Sequence, residues 1–338
     1  MTNKAPTKLD FPASLIKHDY EEMLFMRIFE EKCQFAFRNG KAGGYLHLYV
    51  GMEPLATGWL NSIRKGYDYV ITAYRDHGHA LVLGSDPLAV MCEILGRKGG
   101  LSNGKGGSMH LYDAEHQLYG GWGIVGAHTA LGLGLAFAAK YRGEDRVTLC
   151  YLGDGAANAG IFYESLNMAG LWDLPIIYII ENNYFAMGTR LEYHAADTNL
   201  SKRGYPFGIE SEQLDSMDVM EVRKDAARII EMVRKEQKPY LVEALTYRFV
   251  GHGAADNSQE LYRTKEEVAK ARKRDPIHLL HDVILEHNIL TQGELEALEE
   301  KFRAEVDEIY AKAEASPHPD PEDVYTNVYT DISPEVGH

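Results

Sequence analysis

The chain has 338 residues, of which 45% are hydrophobic and 25% charged, and its formal net charge is −15. This composition is typical of a globular protein that buries a core in one domain or two. The negative charge argues against partners such as nucleic acid or an anionic membrane surface, because both would repel the chain. No apolar run reaches the ~18 to 20 residues of a membrane span. The three cysteines have no CxxC spacing, which favours a reduced, cytoplasmic-type protein.

Residues 1–17 are interpreted as an N-terminal arm. The stretch MTNKAPTKLDFP lacks the apolar core of a secretory signal and the arginine-rich character of an organelle transit peptide. We therefore expect a bacterial cytoplasmic protein or a processed organellar chain. An amphipathic helix is predicted from about His18 to Arg38, where apolar residues recur at helical spacing.

Residues 18–275 are predicted to form one α/β domain, and its first strand is Tyr69 to Ala73. Arg75 follows this strand, so it should lie at the carboxyl edge of the sheet, where its guanidinium could hold phosphate oxygens. The alternative is a structural ion pair with Asp76 or another acid. The basic, glycine-rich loop from Gly96 to His110 could bind an anion or pack at a subunit contact, since it lacks the spacing of a nucleotide-binding loop.

The most informative stretch lies between Gly153 and Asn183. Its elements are a strand at Val147 to Leu152, the turn Gly153-Asp154-Gly155, a helix from about Ala159 to Trp172, and a strand at Pro175 to Ile180. This is a βαβ unit, in which a right-handed crossover makes the two strands parallel. Asp154 and Asn183 therefore meet at the edge where α/β proteins bind ligands. Preceding this unit, the glycine-rich turn Gly120 to Gly126 leads into a predicted helix, Ala127 to Tyr141.

One carboxylate and one amide oxygen, with the backbone carbonyl that follows Asn183, form a sparse set of hard oxygen ligands. Such a set suits Mg²⁺, which takes its remaining ligands from water and phosphates. Gly155 would let the chain approach those oxygens closely, and the next helix would point its positive end to the same edge. The alternative is that both segments are ordinary strand-end turns. The spacing favours a site for a metal-bound diphosphate.

Residues 276–338 are predicted as a helical C-terminal extension and tail. Leu295, Leu298, Phe302, Val306 and Ile309 form an apolar stripe at helical spacing. Either the stripe packs on its own domain or it lies in a subunit interface. The proline-rich stretch from Ser316 to Pro321 is predicted to be an extended tail that lies over a surface.

The pattern GDG…NN resembles the thiamine diphosphate fingerprint. The longer string GDGAAN…NMAGLWDLPIIYIIENN…MGT is similar to the α subunit of the pyruvate dehydrogenase first component, among the thiamine-diphosphate-dependent 2-oxo acid dehydrogenases. ITAYRDHGH, GKGGSMHLYD, YGGWGIVGAH and YRFVGHGAADN match as well, over roughly residues 20–280. The resemblance implies the thiamine-diphosphate-binding fold, an α/β fold with a parallel sheet flanked by helices on both faces.

The resemblance also implies site residues. Mg²⁺ would be held on the diphosphate by Asp154, Asn183 and the carbonyl of Phe185. The residues implied to contact thiamine diphosphate are Tyr74, Arg75, Gly123, Val125, Asp154, Gly155, Ala156, Asn183 and His252. Among the fourteen histidines, His47 and His252 are the catalytic candidates, because they would face the reacting carbon and the diphosphate. A neutral imidazole there could hydrogen-bond a carboxylate or move a proton.

The activity implied is oxidative decarboxylation of a 2-oxo acid, most simply pyruvate, with transfer of the acyl group to the lipoyl arm of an acyltransferase. A β subunit would complete the site in an α2β2 heterotetramer. Acetoin dehydrogenase α subunits share these motifs, and branched-chain 2-oxo acid dehydrogenases are a more distant alternative. A cofactor-free scaffold subunit is the non-enzyme alternative. A nicotinamide dehydrogenase is disfavoured, because GDGAANAG lacks GxGxxG spacing.

Two departures from the family pattern concern regulation. Members that are controlled by phosphorylation carry serines at the positions of Gly253 and Arg190, and Val250 replaces a common histidine. We therefore predict no kinase control at these positions. Phosphate on Ser258 or Thr264 that abolishes turnover would contradict this prediction.

Overall fold

A six-stranded parallel sheet forms the centre of the protein in this computed structural model, which describes residues 9–327 except the side chains of residues 259 and 260. The strands are β1 (Tyr69–Ala73), β2 (Leu118–Trp122), β3 (Thr148–Gly153), β4 (Ile176–Asn182), β5 (Phe185–Ala186), β6 (Thr189–Arg190), β7 (Glu210–Asp215) and β8 (Tyr240–Leu245). The order in the sheet is β2-β1-β3-β4-β8-β7, and β5 pairs with β6 as a separate antiparallel hairpin. The predicted α/β fold with a parallel sheet is confirmed.

Twelve α-helices accompany the strands among the described residues. They are α1 (Ala13–Arg38), α2 (Glu53–Leu60), α3 (His77–Leu83), α4 (Pro87–Ile94), α5 (His128–Tyr141), α6 (Gly160–Leu171), α7 (Leu191–His194), α8 (Val219–Glu236), α9 (Ser258–Leu261), α10 (Lys265–Arg272), α11 (Pro276–Glu286) and α12 (Gln292–Ala315). Short 3-10 helices cover Gly107–Met109, Ala156–Asn158, Leu200–Phe207 and Pro321–Tyr325. No helix within residues 9–327 is both long and apolar enough to cross a membrane.

The central strands are buried on both faces, as parallel strands covered by helices require. Leu149 and Tyr151 of β3 join one core cluster with residues of α1, α2 and α8. Cys150 and Leu152 point to the other face and join a second cluster with α5 and α6. Because successive side chains of a strand point to opposite faces, the residues of β3 pack into two cores, one on each side of the sheet. All three cysteines are buried free thiols.

The predicted βαβ unit is β3-α6-β4, and its bounds differ from the prediction by one or two residues. The two strands are parallel, with Gly153 in register with Glu181. The chain therefore leaves both strands at the same edge, so Asp154 and Asn183 emerge side by side. This register is the local reason why residues distant in sequence share a site.

The C-terminal extension packs on the amino-terminal helix. Leu295 and Val306 of α12 are buried in the same core as α1, and Leu298, Phe302 and Ile309 pack against it. The stripe therefore covers its own domain rather than a subunit interface. The tail is extended at Ser316, but Pro321 starts a 3-10 helix, which the proline-rich sequence did not predict. Prolines are tolerated at a first helical position because no amide is needed there.

The helix predicted from about His18 begins at Ala13. The preceding Pro12 is extended and serves as the N-cap residue, so the helix takes in part of the predicted arm. Residues 1–8 of that arm and residues 328–338 of the predicted tail lie outside the described residues.

Candidate functional site

One cavity of about 940 Å³ lies at the carboxyl end of the parallel sheet. The strand ends Ala73, Gly153 and Glu181 form part of its wall. All eleven residues singled out from the sequence line it, namely His47, Tyr74, Arg75, Gly123, Val125, Asp154, Gly155, Ala156, Asn183, Phe185 and His252. Residues spread over most of the chain are therefore brought into one space, large enough for a cofactor and a small substrate.

Oxygen ligands for a cation lie in this cavity. The Asn183 side chain is 7% exposed, and its Oδ1 is buried without a hydrogen-bond partner in the described structure. Asp154 is 1% exposed, and its Oδ2 lies 3.1 Å from His194 Nε2. A buried acceptor oxygen without a donor is costly unless something binds it. An unpartnered amide oxygen beside a carboxylate fits a hard cation such as Mg²⁺.

Glycine at position 155 is required by a close approach of two loops. A Cβ built on Gly155 would lie 2.6 Å from the Cβ of Ala186, which is closer than real Cβ contacts. The turn after β3 therefore packs directly against the loop after β4. A side chain here would push apart the two segments that carry Asp154 and Asn183.

Two buried arginines, Arg75 and Arg248, line the cavity together with the acidic residues Asp154, Glu181 and Asp256. Arg75 Nη1 donates to the carbonyl oxygen of Leu48 at 2.6 Å, and Nη2 donates to that of His252 at 2.9 Å. The alternative, an ion pair of Arg75 with Asp76 or another acid, does not form among the described residues, since the acceptors of its guanidinium are neutral carbonyls. Arg75 thus ties the two histidine-bearing segments together.

Arg248 is the second buried cation, and it is 1% exposed. It also bonds only neutral groups, namely His252 Nδ1, Val250 O, Met187 O and Tyr262 Oη. Burial, followed by the nearby Arg75 charge, lowers the pKa of Arg248 to about 10. Buried charges without a charged partner are unfavourable, so an anion in the cavity would be strongly attracted.

The two catalytic candidates lie in contact range of one another. The ring centroids of His47 and His252 are 4.9 Å apart, and that of Tyr74 is 4.4 Å from His47. Burial and then the Arg75 charge lower the pKa of His47 to about 2 and that of His252 to about 3. Both imidazoles are therefore neutral near pH 7. Within residues 9–327, His47 Nδ1 is buried and has no hydrogen-bond partner.

The turn after β2 forms another wall of the cavity. Gly123 lines the cavity with backbone atoms only. The next residues, Ile124 and Val125, are 73% and 55% exposed. Gly126 adopts a φ of +81°, and a Cβ there would meet Ala159 at the start of α6. The cavity is thus bounded by backbone on this side and reaches an exposed apolar edge at Val125.

Three residues in or beside the site were missed in the sequence. Arg248 follows β8, and Glu181 is the last residue but one of β4, so both stand at the carboxyl edge where Arg75 was sought. Burial, partly offset by the Tyr49 hydroxyl and Arg75, raises the pKa of Glu181 to about 7. Arg75 was selected because it follows a predicted strand and so lies at the carboxyl edge of the sheet. The same reasoning could have found Arg248 and Glu181. His194 could not be found that way, because α7 brings it to Asp154 from outside the sheet.

The glycine-rich loop from Gly96 to His110 does bind an anion, but that anion belongs to the chain. The buried carboxylate of Glu93 accepts hydrogen bonds from the backbone amides of Ser102, Gly104, Gly106 and Gly107, at 2.7 to 3.1 Å. The basic residues of the loop face the C-terminal tail instead, where Lys98 pairs with Asp320. Arg97, Lys98 and Lys105 do not line the cavity, so the structure gives no support to a direct phosphate contact, whereas packing of the loop at a subunit contact stays a prediction.

The residues considered in connection with phosphorylation form contacts within the chain. Arg190 forms an ion pair with Glu267 at 2.7 Å. The Ser258 hydroxyl accepts a hydrogen bond from Arg263, and the Thr264 hydroxyl caps α10 by accepting from the Glu267 amide. Both hydroxyls that could be modified are therefore engaged, and the absence of kinase control stays a prediction.

Sequence comparisons agree with this arrangement. The family model described as the dehydrogenase E1 component matches residues 21–322. The pyruvate dehydrogenase E1 component subunit alpha of Rhizobium meliloti (strain 1021) is 45% identical over 336 residues, which are 97% of this chain and 96% of that protein. The protein of the same name from Zymomonas mobilis is 44% identical, over 91% of this chain and 87% of its own.

A plant relative is also similar. The pyruvate dehydrogenase E1 component subunit alpha-3, chloroplastic, of Oryza sativa is 40% identical over 92% of this chain and 75% of its own length. Both the matched residues and the coverage exceed what a shared fold alone would give. The chain belongs to the dehydrogenase E1 component family.

Proposed function

We propose that this chain is the α subunit of a thiamine-diphosphate-dependent pyruvate dehydrogenase, which decarboxylates pyruvate oxidatively and passes the acetyl group to a lipoyl arm. The observation that carries the proposal is the single cavity lined by all eleven residues singled out from the sequence. The names of the similar bacterial and plant proteins support pyruvate as the substrate.

Thiamine diphosphate, when bound, would supply a carbanion that attacks the 2-oxo group and a ring that accepts the electrons released with carbon dioxide. Asp154, Asn183 and the carbonyl of Phe185 would hold Mg²⁺ on the diphosphate. Arg75 and Arg248 would attract the phosphate charge. The backbone of Gly123 and Val125 would contact the aminopyrimidine ring.

His47 and His252 would then act on the substrate side. Because both imidazoles are neutral, each can donate one hydrogen bond or accept one. The His47 side chain lines the cavity and would hydrogen-bond the carboxylate or the oxo group of the substrate. The buried walls would exclude water from these groups, which strengthens every polar contact among them.

We also propose that a β subunit covers the exposed apolar edge of the cavity in an α2β2 assembly. Leu131, Phe137 and Tyr141 of α5 are 43%, 45% and 83% exposed, and Trp172 packs beside Phe137. A patch of this kind marks a protein interface. Val125 precedes α5 in the chain, is itself 55% exposed and lines the cavity. A partner seated there would complete the cofactor site.

The test is a comparison of pyruvate, acetoin and 2-oxoisovalerate as substrates of the reconstituted α and β subunits in a dye-reduction assay with thiamine diphosphate and Mg²⁺. The proposal predicts the highest kcat/KM for pyruvate and almost no activity for either subunit alone. A higher kcat/KM for acetoin would contradict pyruvate as the substrate. Robust decarboxylation by the isolated chain would contradict the need for a β subunit.

A further inference from the structure

The segment that brings His47 into the cavity belongs to no strand, over residues 45–49. Side chains accept from two of its amides: the His47 amide donates to Ser108 Oγ at 3.4 Å, and the Tyr49 amide donates to Glu30 Oε1 at 2.8 Å. Buried backbone amides need such partners. Arg75 holds the Leu48 carbonyl between them. The backbone at and after His47 is therefore held by side chains from distant parts of the chain.

A buried histidine joins these two side chains. His77 Nδ1 lies 2.8 Å from Glu30 Oε2, and His77 Nε2 lies 2.8 Å from Ser108 Oγ. Glu30 and His77 are fully buried, and Ser108 is 3% exposed. The three residues come from α1, the start of α3 and a 3-10 helix. They form one connected support beneath the segment that carries His47.

The Glu30 carboxylate and His77 form a buried ion pair within this set. The Glu30 carboxylate can only accept, so His77 Nδ1 carries a proton. Burial opposes the charged imidazole, but the Glu30 carboxylate outweighs it and raises the pKa of His77. The Ser108 oxygen has two lone pairs, and it accepts from the His47 amide while it is hydrogen-bonded to His77 Nε2.

Two other uses of this cluster fail. Serine, histidine and glutamate in this order form a nucleophilic triad in hydrolases, but Ser108 does not line the cavity and no substrate reaches its hydroxyl. Glu30, Cys33 and His77 lie close enough to hold a metal ion. Both ring nitrogens of His77 are already hydrogen-bonded, so none is left as a ligand.

We propose that Glu30, His77 and Ser108 are positioning residues that hold His47 in its catalytic orientation. The proposal rests on the proposed function in one respect, namely that His47 meets the substrate. None of the three residues touches the cavity, so each acts only through the backbone of residues 47–49.

The first test is Glu30→Gln in the reconstituted α/β complex. Glutamine fills the same volume, but it has only one acceptor oxygen, so it cannot accept from both the Tyr49 amide and His77 Nδ1. We expect kcat for pyruvate to fall roughly 10- to 100-fold, the range that misplacement of a catalytic group produces. Affinity for thiamine diphosphate should not change. Glu22→Gln, on the same helix and bonded to Asn61 instead, is the matched control with normal kcat.

The second test is a double-mutant cycle with His47→Ala, measured as the single-turnover rate of decarboxylation. If Glu30 acts through His47, Glu30→Gln causes no further loss once His47 is gone. Equal losses in both backgrounds would mean that Glu30 has a general structural role and would overturn the proposal.

The third test does not depend on catalysis. Hydrogen exchange measured by mass spectrometry should become faster in the peptide covering residues 45–50 for Ser108→Ala and Glu30→Gln, with β3 and β4 unchanged. Unchanged exchange at 45–50, or faster exchange everywhere, would overturn the proposal. If the variants show no faster exchange at residues 45–50 while the wild-type complex is active, the positioning proposal is wrong and the proposed function stands. If the variants show faster exchange there but the wild-type complex does not turn over pyruvate, the proposed function is wrong and the positioning proposal stands.

Discussion

At the scale of residues, the site is defined by buried polar groups that can still bind a ligand. Arg75 and Arg248 are buried, and among the described residues their hydrogen-bond acceptors are backbone carbonyls, an imidazole nitrogen and a phenol oxygen rather than carboxylates. Asn183 offers an oxygen without a donor in the described structure. The arginines attract an anion, and the Asn183 oxygen attracts a cation. A metal-bound diphosphate would satisfy both.

Replacing Arg248 by lysine keeps the charge but removes the planar fork that reaches several acceptors at once. We expect Arg248→Lys to raise the Kd for thiamine diphosphate roughly 10- to 100-fold, since hydrogen bonds to charged groups contribute about 1.5–3 kcal/mol. Calorimetric titration of the reconstituted complex would measure this. Arg228→Lys, at an exposed position of α8, is the control, and equal affinity in the two variants would count against a role for Arg248.

At the scale of elements, the glycine-rich loop shows how a strong sequence signal can point to the wrong ligand. Its backbone amides converge on an anion, as the composition predicted. The anion is Glu93, which lies on α4 and is fully buried. The loop is therefore a structural unit closed by a carboxylate, and the Lys98 and Lys105 side chains fasten the C-terminal tail over it.

Glu93→Gln tests this interpretation. A glutamine amide group would place its NH₂ against backbone amides that also donate, so buried donors would lose their acceptor. We expect the free energy of unfolding to decrease by about 1–3 kcal/mol, the cost of leaving buried polar groups unsatisfied. Urea denaturation would measure the change, with Glu286→Gln at an exposed position of α11 as the control. Identical midpoints for both variants would contradict the account.

The sequence predicted the elements whose signals are local. β1 and the β3-α6-β4 unit were found because strand residues end at glycine, asparagine and aspartate turns, and parallel strands bring those turns together. The partners of Arg75 and of the glycine-rich loop were not found. They depend on which backbone carbonyl or carboxylate arrives from another element, such as Leu48 or Glu93, and spacing along the chain carries no information about that.

At the scale of the whole molecule, the buried histidines govern the acid response. Burial lowers the pKa of four of them, to about 2 for His47, about 3 for His79, about 4 for His128 and about 3 for His252. In the unfolded chain they titrate near 6.5, so below that pH the unfolded state binds four more protons. Asp76 and Glu181, whose pKa values burial raises to about 7, bind two protons in the folded state and oppose the effect.

Among these six groups, four protons against two leave a net of two in favour of the unfolded state. Raised pKa values of Asp19, Glu22 and His77 also oppose the effect, the two carboxyls toward pH 4 and the histidine near pH 7. The cofactor-free protein should therefore lose stability chiefly as the pH falls from 6.5 to 5, at roughly 1.4 kcal/mol per pH unit for each net proton. Urea denaturation at pH 7.0, 6.0 and 5.0, followed by tryptophan fluorescence, would measure the slope. Stability that is constant or rises over this range would contradict the neutral state of the buried histidines.

The central claim is that Asp154 and Asn183 together hold a divalent cation on the diphosphate of the cofactor. Calorimetric titration of the reconstituted complex with thiamine diphosphate, with and without Mg²⁺, tests it most directly. We predict tight binding only with Mg²⁺ in the wild type, loss of that dependence in Asp154→Ala and Asn183→Ala, and wild-type behaviour in Asn167→Ala on the exposed face of α6. Undiminished Mg²⁺-dependent binding in both site variants would contradict the account.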